Sequence, residues 1–487
     1  MRTSRVEEEV REPKVHGQAI VATLRNTGVL LSSLPLVYAA SLLSLAYAAR
    51  VLEPEGFGLL RFATAISSYF LLVGDLGLPL LGTRQVAAHS AETSDWVDRI
   101  VSARLVTSLG AMLILVVATV TLPIDGTLRA TLLVSSLTLP VAAISLRWFH
   151  QGRERMFFAA GADAVSAIVA MALLVLLVSS PADVPLAAAA AVLGIFAASS
   201  MLMLAYRRTT GSWPRLAATR ILATVRVALP LGVSGLLIGA YYNADTVLLG
   251  LLATPTAVGL YGGALRLVTA GLIVPWTFFA ALLPALSRHR SGDIPAFERT
   301  LRQAIALASL AAVPVVVGGV LLAEPLVTIV LGPEYSPAAS AVAILSMNVG
   351  VILISGTIGT ALVAAGDEKW YVGGVAAGAA VNLVLNVALI PILDINGAAI
   401  ARLATESVVF SVLLVRARSL ANLGLSRSLR APTVAGAGMA GTLILLGSIP
   451  LALQVAGAIA AYLLVMGLIS PGYLMAARDV VRYRASK

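Results

Sequence analysis

Long apolar runs dominate the sequence. Fourteen of them follow one another along 487 residues, and a helix of about 20 apolar residues crosses a bilayer core of about 30 Å. Charged residues make up only 12% of the chain. Because open strands would leave backbone groups unpaired in lipid, helices are the expected spanning element. The sequence therefore predicts an all-α polytopic membrane protein with spans at 28–49, 58–81, 103–122, 128–146, 157–179, 184–206, 228–250, 260–284, 303–323, 338–364, 370–391, 397–415, 431–449 and 452–475.

The distribution of lysine and arginine predicts the orientation. Of 34 basic residues, 28 lie in the two tails and in alternate connections between the runs. Such residues accumulate on the cytoplasmic side of membrane proteins. We therefore expect a multi-pass protein of the cell (plasma or inner) membrane with both termini in the cytoplasm. The net charge of +10 then reflects topology, and no nucleic-acid partner is expected.

A repeated turn motif predicts an internal duplication. Residues 54–59 and 255–260 both read Pro-x3-Gly-Leu, after the first and the seventh run, and internal repeats are common in polytopic membrane proteins. The predicted organisation is a cytoplasmic N-tail (1–27), an N-lobe of spans 1–6 (28–206), a basic cytoplasmic linker (207–227), a C-lobe of spans 7–12 (228–415), a basic cytoplasmic loop (416–430), spans 13–14 (431–475) and a cytoplasmic C-tail (476–487).

Two opposite charges lie at similar predicted depth in spans 7 and 8. Asp245 and Arg266 are each five or six residues from the outer end of their run, and a charge within a span costs roughly 2.5–3.5 kcal/mol on insertion scales. Two interpretations stay open: a mutual ion pair, or an anion-binding arginine held by Asp245. Asn243 and Tyr241, close by on span 7, are candidates for a polar cavity lining.

Spans 11 and 12 carry the next polar groups. Arg402 and Glu406 are four residues apart on span 12 and share a helix face, which indicates an intrahelical pair or a coupling or gating carboxylate. Asn382 and Asn386 share a face of span 11, where interhelical hydrogen bonding is favoured over substrate contact. Near the inner end of span 2, Asp75 is predicted to be a structural or gating partner of inner basic residues.

Four arginines lie near the predicted outer ends of spans, against the general charge bias. They are Arg50, Arg61, Arg266 and Arg402. Arg104, in contrast, lies at an inner helix end, where its long side chain is expected to extend to the membrane surface. The four outer arginines are therefore the candidate cationic groups of a binding site.

Several kinds of chemistry are excluded. The chain has no cysteine, so thiolate ligands and cysteine nucleophiles are absent. All four histidines are in predicted inner segments, which argues against a histidine proton relay. No metal-ligand cluster, phosphate-binding glycine loop or nucleophile–base set occurs, and the inner loops are too short for a nucleotide-binding domain. We expect a transporter rather than an enzyme, with no cofactor other than a coupling Na⁺ or H⁺.

Five short motifs carry a resemblance to a known family. They are ARVLEPEGFG at 49–58, GDLGL at 74–78 with TRQVA at 83–87, YNADTVLLG at 242–250 with VGLYGGA at 258–264, LGPEY at 331–335, and NLVLN at 382–386 with LIP at 389–391 and GAA at 397–399. In this order the chain resembles the polysaccharide flippases, which are the lipid-linked oligosaccharide flippases of the multidrug/oligosaccharidyl-lipid/polysaccharide exporter superfamily.

This resemblance implies both an architecture and a substrate. The fold would be two pseudo-symmetric six-helix lobes around a central cavity, with two peripheral C-terminal helices. The substrate would be an oligosaccharide on a polyprenyl (di)phosphate, moved from the inner to the outer leaflet by alternating access, with a glycan polymerase or glycosyltransferases as partners. A phosphate-binding role would fall to Arg50, Arg61 and Arg266, with Arg402 as a fourth candidate. Span 1 departs from the related lipid II flippases because 28–49 contains no arginine.

Two other functions are considered. A multidrug/cation antiporter of the same superfamily would need an acidic cavity, whereas this sequence places arginines where the cavity is expected. A non-transporting membrane scaffold would tolerate changes in the cavity and depend on its inner surface instead.

Overall fold

The computed structural model describes the backbone of residues 3–88, 93–217, 220–290, 292–447 and 449–470. Within these ranges, side chains are described from Leu36 onwards, apart from those at 234, 236–238, 240–242, 271, 273 and 274. Tyr241, the side chains of the N-tail and the C-tail 476–487 therefore lie outside the described residues. Each regular element of the described chain is a helix, which confirms the all-α prediction.

The chain divides into two compact units, residues 1–243 and 244–487. The last helix of the first unit continues into the second. The helices that begin in the first unit are α1 (Thr3–Asp75), α2 (Leu78–Ala88), α3 (Thr93–Thr121), α4 (Gly126–Ser136), α5 (Thr138–Ala143), α6 (Arg147–Gly152), α7 (Met156–Leu177), α8 (Val184–Thr210) and α9 (Ile221–Leu252).

Helix breaks shape the first unit. Within α1 the backbone leaves helical geometry at Glu53 (φ 57°, ψ 173°), between predicted spans 1 and 2. A second break separates α1 from α2 at Leu76 and Gly77, both with positive φ. Gly232 of α9 packs on this break so closely that a β-carbon there would come within 2.6 Å of the Leu76 carbonyl oxygen. Glycine is therefore required for this approach of backbone to backbone.

The core of the first unit lies where α2, α3, α6 and α8 meet. Trp148 and Phe149 are nearly fully buried there, and Phe149 meets the Tyr206 ring edge-on at 4.9 Å. His150 is fully buried beside them, with its Nε2 3.1 Å from the carbonyl oxygen of Leu202. The predicted inner segment 147–156 is thus a packed helix and turn rather than an open loop.

The described part of the second unit contains eight further α-helices. They are α10 (Pro255–Thr269), α11 (Ile273–Arg290), α12 (Ile294–Leu321), α13 (Ala323–Val330), α14 (Ala339–Ala364), α15 (Glu368–Leu420), α16 (Leu425–Leu445) and α17 (Leu451–Ile469), with 3-10 turns at Ala270–Leu272 and Pro333–Ala338. Helices α16 and α17 share a core with α12, where Tyr462 donates a hydrogen bond to the carbonyl oxygen of Leu310 at 2.9 Å.

Helix α15 is a hairpin of two helical halves. The backbone leaves helical geometry at Asp394 (φ 50°, ψ −129°). On either side of it, Gly374 faces Val412 and Gly378 faces Val409, at 3.5 and 2.6 Å from an added β-carbon. Since the facing numbers rise on one half as they fall on the other, the halves run antiparallel. They correspond to predicted spans 11 and 12.

Nine of the described helical segments are long and apolar enough to cross a membrane. Two of them, Leu36–Asp75 and Glu368–Leu420, have 40 and 53 residues, about twice the roughly 20 needed for one crossing. The fold is therefore that of a polytopic membrane protein, and the number of fourteen spans stays a prediction.

Candidate functional site

A buried carboxylate is the centre of a polar network in the second unit. The side chain of Asp245 is 1% exposed. Its Oδ2 accepts hydrogen bonds from Arg402 Nη1 at 2.6 Å and from the Tyr261 hydroxyl at 2.9 Å. Its Oδ1 accepts from Asn382 Nδ2 and Asn386 Nδ2, both at 3.0 Å. Both carboxylate oxygens are therefore fully used inside the protein.

Three helices bring these five side chains together. Asp245 lies two turns from the end of α9, and Tyr261 lies in the buried first half of α10. Asn382 and Asn386 come from one face of the first half of α15, and Arg402 comes from its second half. The α15 hairpin thus places an amide pair and a guanidinium against the same carboxylate. The interhelical hydrogen bonding predicted for the two asparagines is confirmed.

The network corrects one predicted pairing. The sequence left open whether Arg266 forms a mutual ion pair with Asp245 or is an anion-binding arginine held by it, but the ion pair of Asp245 is with Arg402, 157 residues away. Arg266 lies on α10 with an exposed side chain. A buried carboxylate is tolerated only when a charge and hydrogen bonds replace water. Arg402, whose side chain is 14% exposed, supplies that charge.

The nitrogen and the oxygen of the Asn386 side-chain amide differ in their hydrogen bonding. Its Nδ2 lies 2.9–3.1 Å from three oxygens: Oδ1 of Asp245, and both the carbonyl oxygen and Oδ1 of Asn382. An amide nitrogen has only two hydrogens to donate. Its own Oδ1 is buried and has no hydrogen-bond partner among the described residues. If the amide were flipped, Oδ1 of Asn386 would face these three oxygens. The surroundings therefore fix the amide in the observed orientation.

Glu406 lies one turn beyond Arg402 on α15 and is half-buried. The Ser355 hydroxyl of α14 donates a hydrogen bond to its Oε1. Arg402 and Glu406, predicted as an intrahelical pair or as a functional carboxylate, thus each make a contact with a different helix. Asn243, half-buried on α9, donates through Nδ2 to the carbonyl oxygen of Gly239 at 3.3 Å.

The first unit has its own ion pair at a helix break. Asp75 Oδ1 accepts from Arg104 Nε at 2.9 Å and Nη2 at 2.7 Å. Arg104 Nη1 also donates to the carbonyl oxygens of Ser145 at 3.0 Å and Ala143 at 3.3 Å. The predicted pairing of Asp75 with an inner basic residue is observed, and its gating role stays a prediction. The expectation for Arg104 is wrong, because its side chain is 4% exposed and does not extend to the surface.

The remaining sequence candidates are arginines within apolar helices. Arg50 is exposed and Arg61 is half-buried on α1, on opposite sides of the break at Glu53. Sequence reasoning missed Tyr261 and Ser355 because neither carries a charge. Tyr261 stands inside the VGLYGGA motif, directly before two glycines, and this was the available signal. Among the described residues, no group of three or more histidines, aspartates or glutamates could hold a metal ion.

The fold is that of a polytopic helical membrane protein with charged side chains buried among its helices. A model of the family described as "Polysaccharide biosynthesis protein" matches residues 23–290. That is more than half of the chain, so this protein belongs to the polysaccharide biosynthesis protein family. The resemblance stated from the sequence motifs is thereby confirmed, as is the expectation of a transporter rather than an enzyme.

Two curated proteins are similar in sequence. The "Putative O-antigen transporter" of Escherichia coli (strain K12) is 25% identical over 409 residues, which cover 78% of this chain and 93% of that protein. The "Probable flippase AglR" of Haloferax volcanii is 29% identical over 185 residues, which cover 37% and 38% of the two chains.

Solved structures agree in fold. The lipid II flippase MurJ in an inward closed conformation aligns with a TM-score of 0.75 at 11% identity, covering 94% of this chain and all of that one. An inward-facing multidrug resistance transporter of the MATE family aligns with a TM-score of 0.59 at 14% identity, covering 80% and 98%. At these identities the likeness concerns the fold alone.

Proposed function

We propose that this protein moves a lipid-linked oligosaccharide from the inner to the outer leaflet of the cell membrane, for the synthesis of a surface polysaccharide. Membership of the polysaccharide biosynthesis protein family supports this proposal. The names of the two similar proteins, a putative O-antigen transporter and a probable flippase, point in the same direction.

The observation that carries the proposal is the presence of arginines within apolar helices. Arg50 of α1 and Arg266 of α10 are exposed, and Arg61 is half-buried. A charged side chain at membrane depth is costly and therefore marks a functional site by default. Arginine recognises phosphate through two parallel hydrogen bonds. We assign these three arginines to a polyprenyl (di)phosphate and assign Arg402 to the Asp245 network instead.

The transport cycle follows from the size of the substrate. An oligosaccharide needs a wide wet cavity, while its polyprenyl tail can stay in the lipid. Two six-helix lobes around such a cavity would open it to one leaflet and then to the other. By the positive-inside rule we expect both termini in the cytoplasm, where glycosyltransferases would supply the substrate. A glycan polymerase would use it on the other side.

Coupling to an ion gradient would use a carboxylate. Glu406 and Asp75 are more accessible than Asp245, whose charge is neutralised inside the protein. We assign coupling to Na⁺ or H⁺ first to Glu406, with Asp75 and Asp245 in gating roles. Asn243 and Tyr241 remain candidates for contact with the sugars, while Asn382 and Asn386 are assigned to the Asp245 network.

Charge reversal tests the arginine assignment. Arg50→Glu and Arg266→Glu should each abolish display of the surface glycan while the protein stays in the membrane, and the lipid-linked glycan should accumulate in the inner leaflet. Arg299→Glu is the matched control, because Arg299 is 62% exposed in the predicted inner segment and only weakly paired with Asp293 at 3.9 Å. Normal glycan export in both site variants would refute the proposal. Loss of cationic-drug efflux instead would indicate an antiporter.

A further inference from the structure

The connection between α15 and α16 borders an open cavity of about 680 Å³. Its walls run from Arg418 in the last turn of α15, through the turn 421–424, to Ser426 on α16. Ligand-binding clefts have volumes of roughly 300–1,000 Å³. The connection is the basic loop 416–430, which is expected on the cytoplasmic side. We propose that this cavity binds a phosphate group, carried by an inner-leaflet phospholipid or by a soluble phosphate ester, with Arg418 and Arg430 supplying the positive charge.

Arg418 and Arg430 differ from the nearby Arg416 in their partners. Both are exposed, and among the described residues neither forms an ion pair with an aspartate or a glutamate. Arg416 instead bonds both carboxylate oxygens of Asp367, at 2.8–3.0 Å. The positive charges of Arg418 and Arg430 are therefore available to an anion. A guanidinium group binds two oxygens of a phosphate at once through parallel hydrogen bonds, which favours phosphate as the ligand.

The turn between the two helices has a defined structure. Gly424 has a φ of 57°, which glycine adopts without strain, and its amide nitrogen donates to Oδ1 of Asn422 at 3.2 Å. The Arg302 side chain of α12 packs on this glycine, with its Cδ 3.3 Å from an added β-carbon. Arg302 is 40% exposed, and its Nη1 is 3.9 Å from Oε2 of Glu298. The contact with Gly424 thus brings a third arginine to the turn.

One face of α16 connects the cavity with the apolar part of the helix. Ser426, Arg430 and Val434 follow one another at intervals of four residues, so they share this face, and all three are exposed. Val434 belongs to predicted span 13 (431–449). A phospholipid with its phosphate in the cavity would lay its acyl chains against Val434, whereas a soluble ester gains nothing from an apolar side chain. The arrangement therefore favours a lipid as the source of the phosphate.

The experiment uses the purified full-length protein in a non-ionic detergent and measures equilibrium binding of fluorescent phosphatidylglycerol. The competitors are unlabelled phosphatidylglycerol, diacylglycerol and glycerol 3-phosphate. We expect saturable binding that phosphatidylglycerol displaces and that diacylglycerol, which has no phosphate, does not. Displacement by glycerol 3-phosphate at millimolar concentration would support a site for which a soluble ester suffices. Displacement by phosphatidylglycerol alone would support a site that needs the lipid.

Two site variants and one control locate the binding. Arg418→Gln/Arg430→Gln should weaken it about 25-fold, because each basic residue near an anionic lipid surface strengthens binding by roughly fivefold. Ser426→Asp places an acid in the first turn of α16, where it favours the helix, so this variant should fold and yet repel the phosphate. The matched control Arg299→Gln/Arg416→Gln removes as many charges from residues that do not line the cavity and should leave the affinity nearly unchanged.

Three results would overturn the inference. Diacylglycerol that competes as well as phosphatidylglycerol would show that the acyl chains, not the phosphate, are bound. Wild-type affinity in both site variants would show that the cavity is not the site. An equal loss in the control would indicate a general effect of positive charge. The assay contains no lipid-linked oligosaccharide, and Arg418 and Arg430 are not among the arginines assigned to its (di)phosphate, so these outcomes leave the flippase proposal to its own test.

Discussion

Among the described residues, each of the two units contains one arginine–aspartate pair with a buried member, and the two pairs are built in opposite ways. In the first unit the arginine is the buried member: Arg104 is 4% exposed and Asp75 is 27% exposed. In the second unit the acid is the buried member: Asp245 is 1% exposed and Arg402 is 14% exposed. The partners differ as well, because Arg104 also binds backbone carbonyls, whereas the partners of Asp245 among the described residues are all side chains.

The difference indicates two different tasks. Arg104 ties the break between α1 and α2 to the carbonyl oxygen of Ala143, the last residue of α5, and to that of Ser145, between α5 and α6. Those carbonyl oxygens lie where the helix is interrupted, so they have no intrahelical partner and need another hydrogen-bond donor at all times. Asp245 instead joins complete helices through rotatable side chains. The first pair therefore holds irregular backbone in place, while the second can be rearranged without unfolding a helix.

The largest effect is expected from removing the charge beside the buried acid. Arg402→Leu leaves Asp245 without its counter-ion, and breaking a buried pair in this way costs roughly 3–5 kcal/mol of the free energy of unfolding. Unfolding of the purified protein in detergent measures this loss. The double variant Asp245→Asn/Arg402→Leu should recover most of the loss, because no charge then remains buried.

The control for this variant is Arg416→Leu. Arg416 contacts both carboxylate oxygens of Asp367, at 2.8–3.0 Å, whereas Arg402 contacts one oxygen of Asp245. Arg416 and Asp367 both reach solvent, at 31% and 20% exposed. Pairs with solvent access contribute about 0–1 kcal/mol. Equal losses for Arg402→Leu and Arg416→Leu would show that burial of the acid is not what makes the second unit's pair strong.

A smaller loss is expected in the first unit. Arg104→Leu leaves an acid that can reach water, so the cost should come mainly from the unpaired carbonyls of Ala143 and Ser145, about 2–3 kcal/mol in all. Arg147→Leu serves as the comparison, since its pair with Asp163 is 44% and 38% exposed and should matter little. Asp75→Asn should recover less of the stability lost in Arg104→Leu than Asp245→Asn recovers in Arg402→Leu. Equal recovery of the free energy of unfolding would mean that the two pairs are equivalent, which would contradict the contrast between the units.

The next smaller effect is expected from backbone packing at the break between α1 and α2. Gly232→Ala places a β-carbon against the backbone of Leu76, and overpacking of this kind typically costs about 1–3 kcal/mol, so we expect about 2. Gly235→Ala, one turn along α9, meets no atom of the described residues within 4 Å and should be neutral or slightly stabilising. Thermal unfolding of the two variants in detergent compares them directly. Equal unfolding temperatures would contradict the close packing of α9 on this break.

The sequence predicted the fold class and many of the site residues because both follow from local patterns. Apolar runs of membrane length require helices, whatever their packing. Asn382 and Asn386 are one turn apart, so a shared face follows from helix geometry alone. A basic partner of Asp75 could be expected because basic residues accumulate at the inner end of its span.

The choice of partners could not be predicted in the same way. Asp245 and Arg266 have similar predicted depths, but depth along a helix does not determine which neighbouring helix a side chain faces. Arg402 reaches Asp245 only because α15 folds back on itself at Asp394. Arg104 was misjudged because an arginine near a helix end usually extends to the surface, and the helix breaks that bind it here are tertiary features.

The smallest effect is expected from removing a single hydroxyl. It tests whether a hydrogen bond to a charged acceptor contributes more to stability than one to a neutral acceptor. Tyr261→Phe removes the donor to Asp245 Oδ2, and a hydrogen bond to a charged group contributes about 1.5–3 kcal/mol. Since three other donors remain on this carboxylate, we expect the lower end, about 1.5. Tyr462→Phe removes an equally long bond to the neutral carbonyl oxygen of Leu310 and should cost about 1 kcal/mol. Unfolding of Tyr261→Phe in the Asp245→Asn background provides the decisive measurement: the difference between the two tyrosines should vanish there, and its persistence would mean that packing of the Tyr261 ring, not the charge of Asp245, sets the cost.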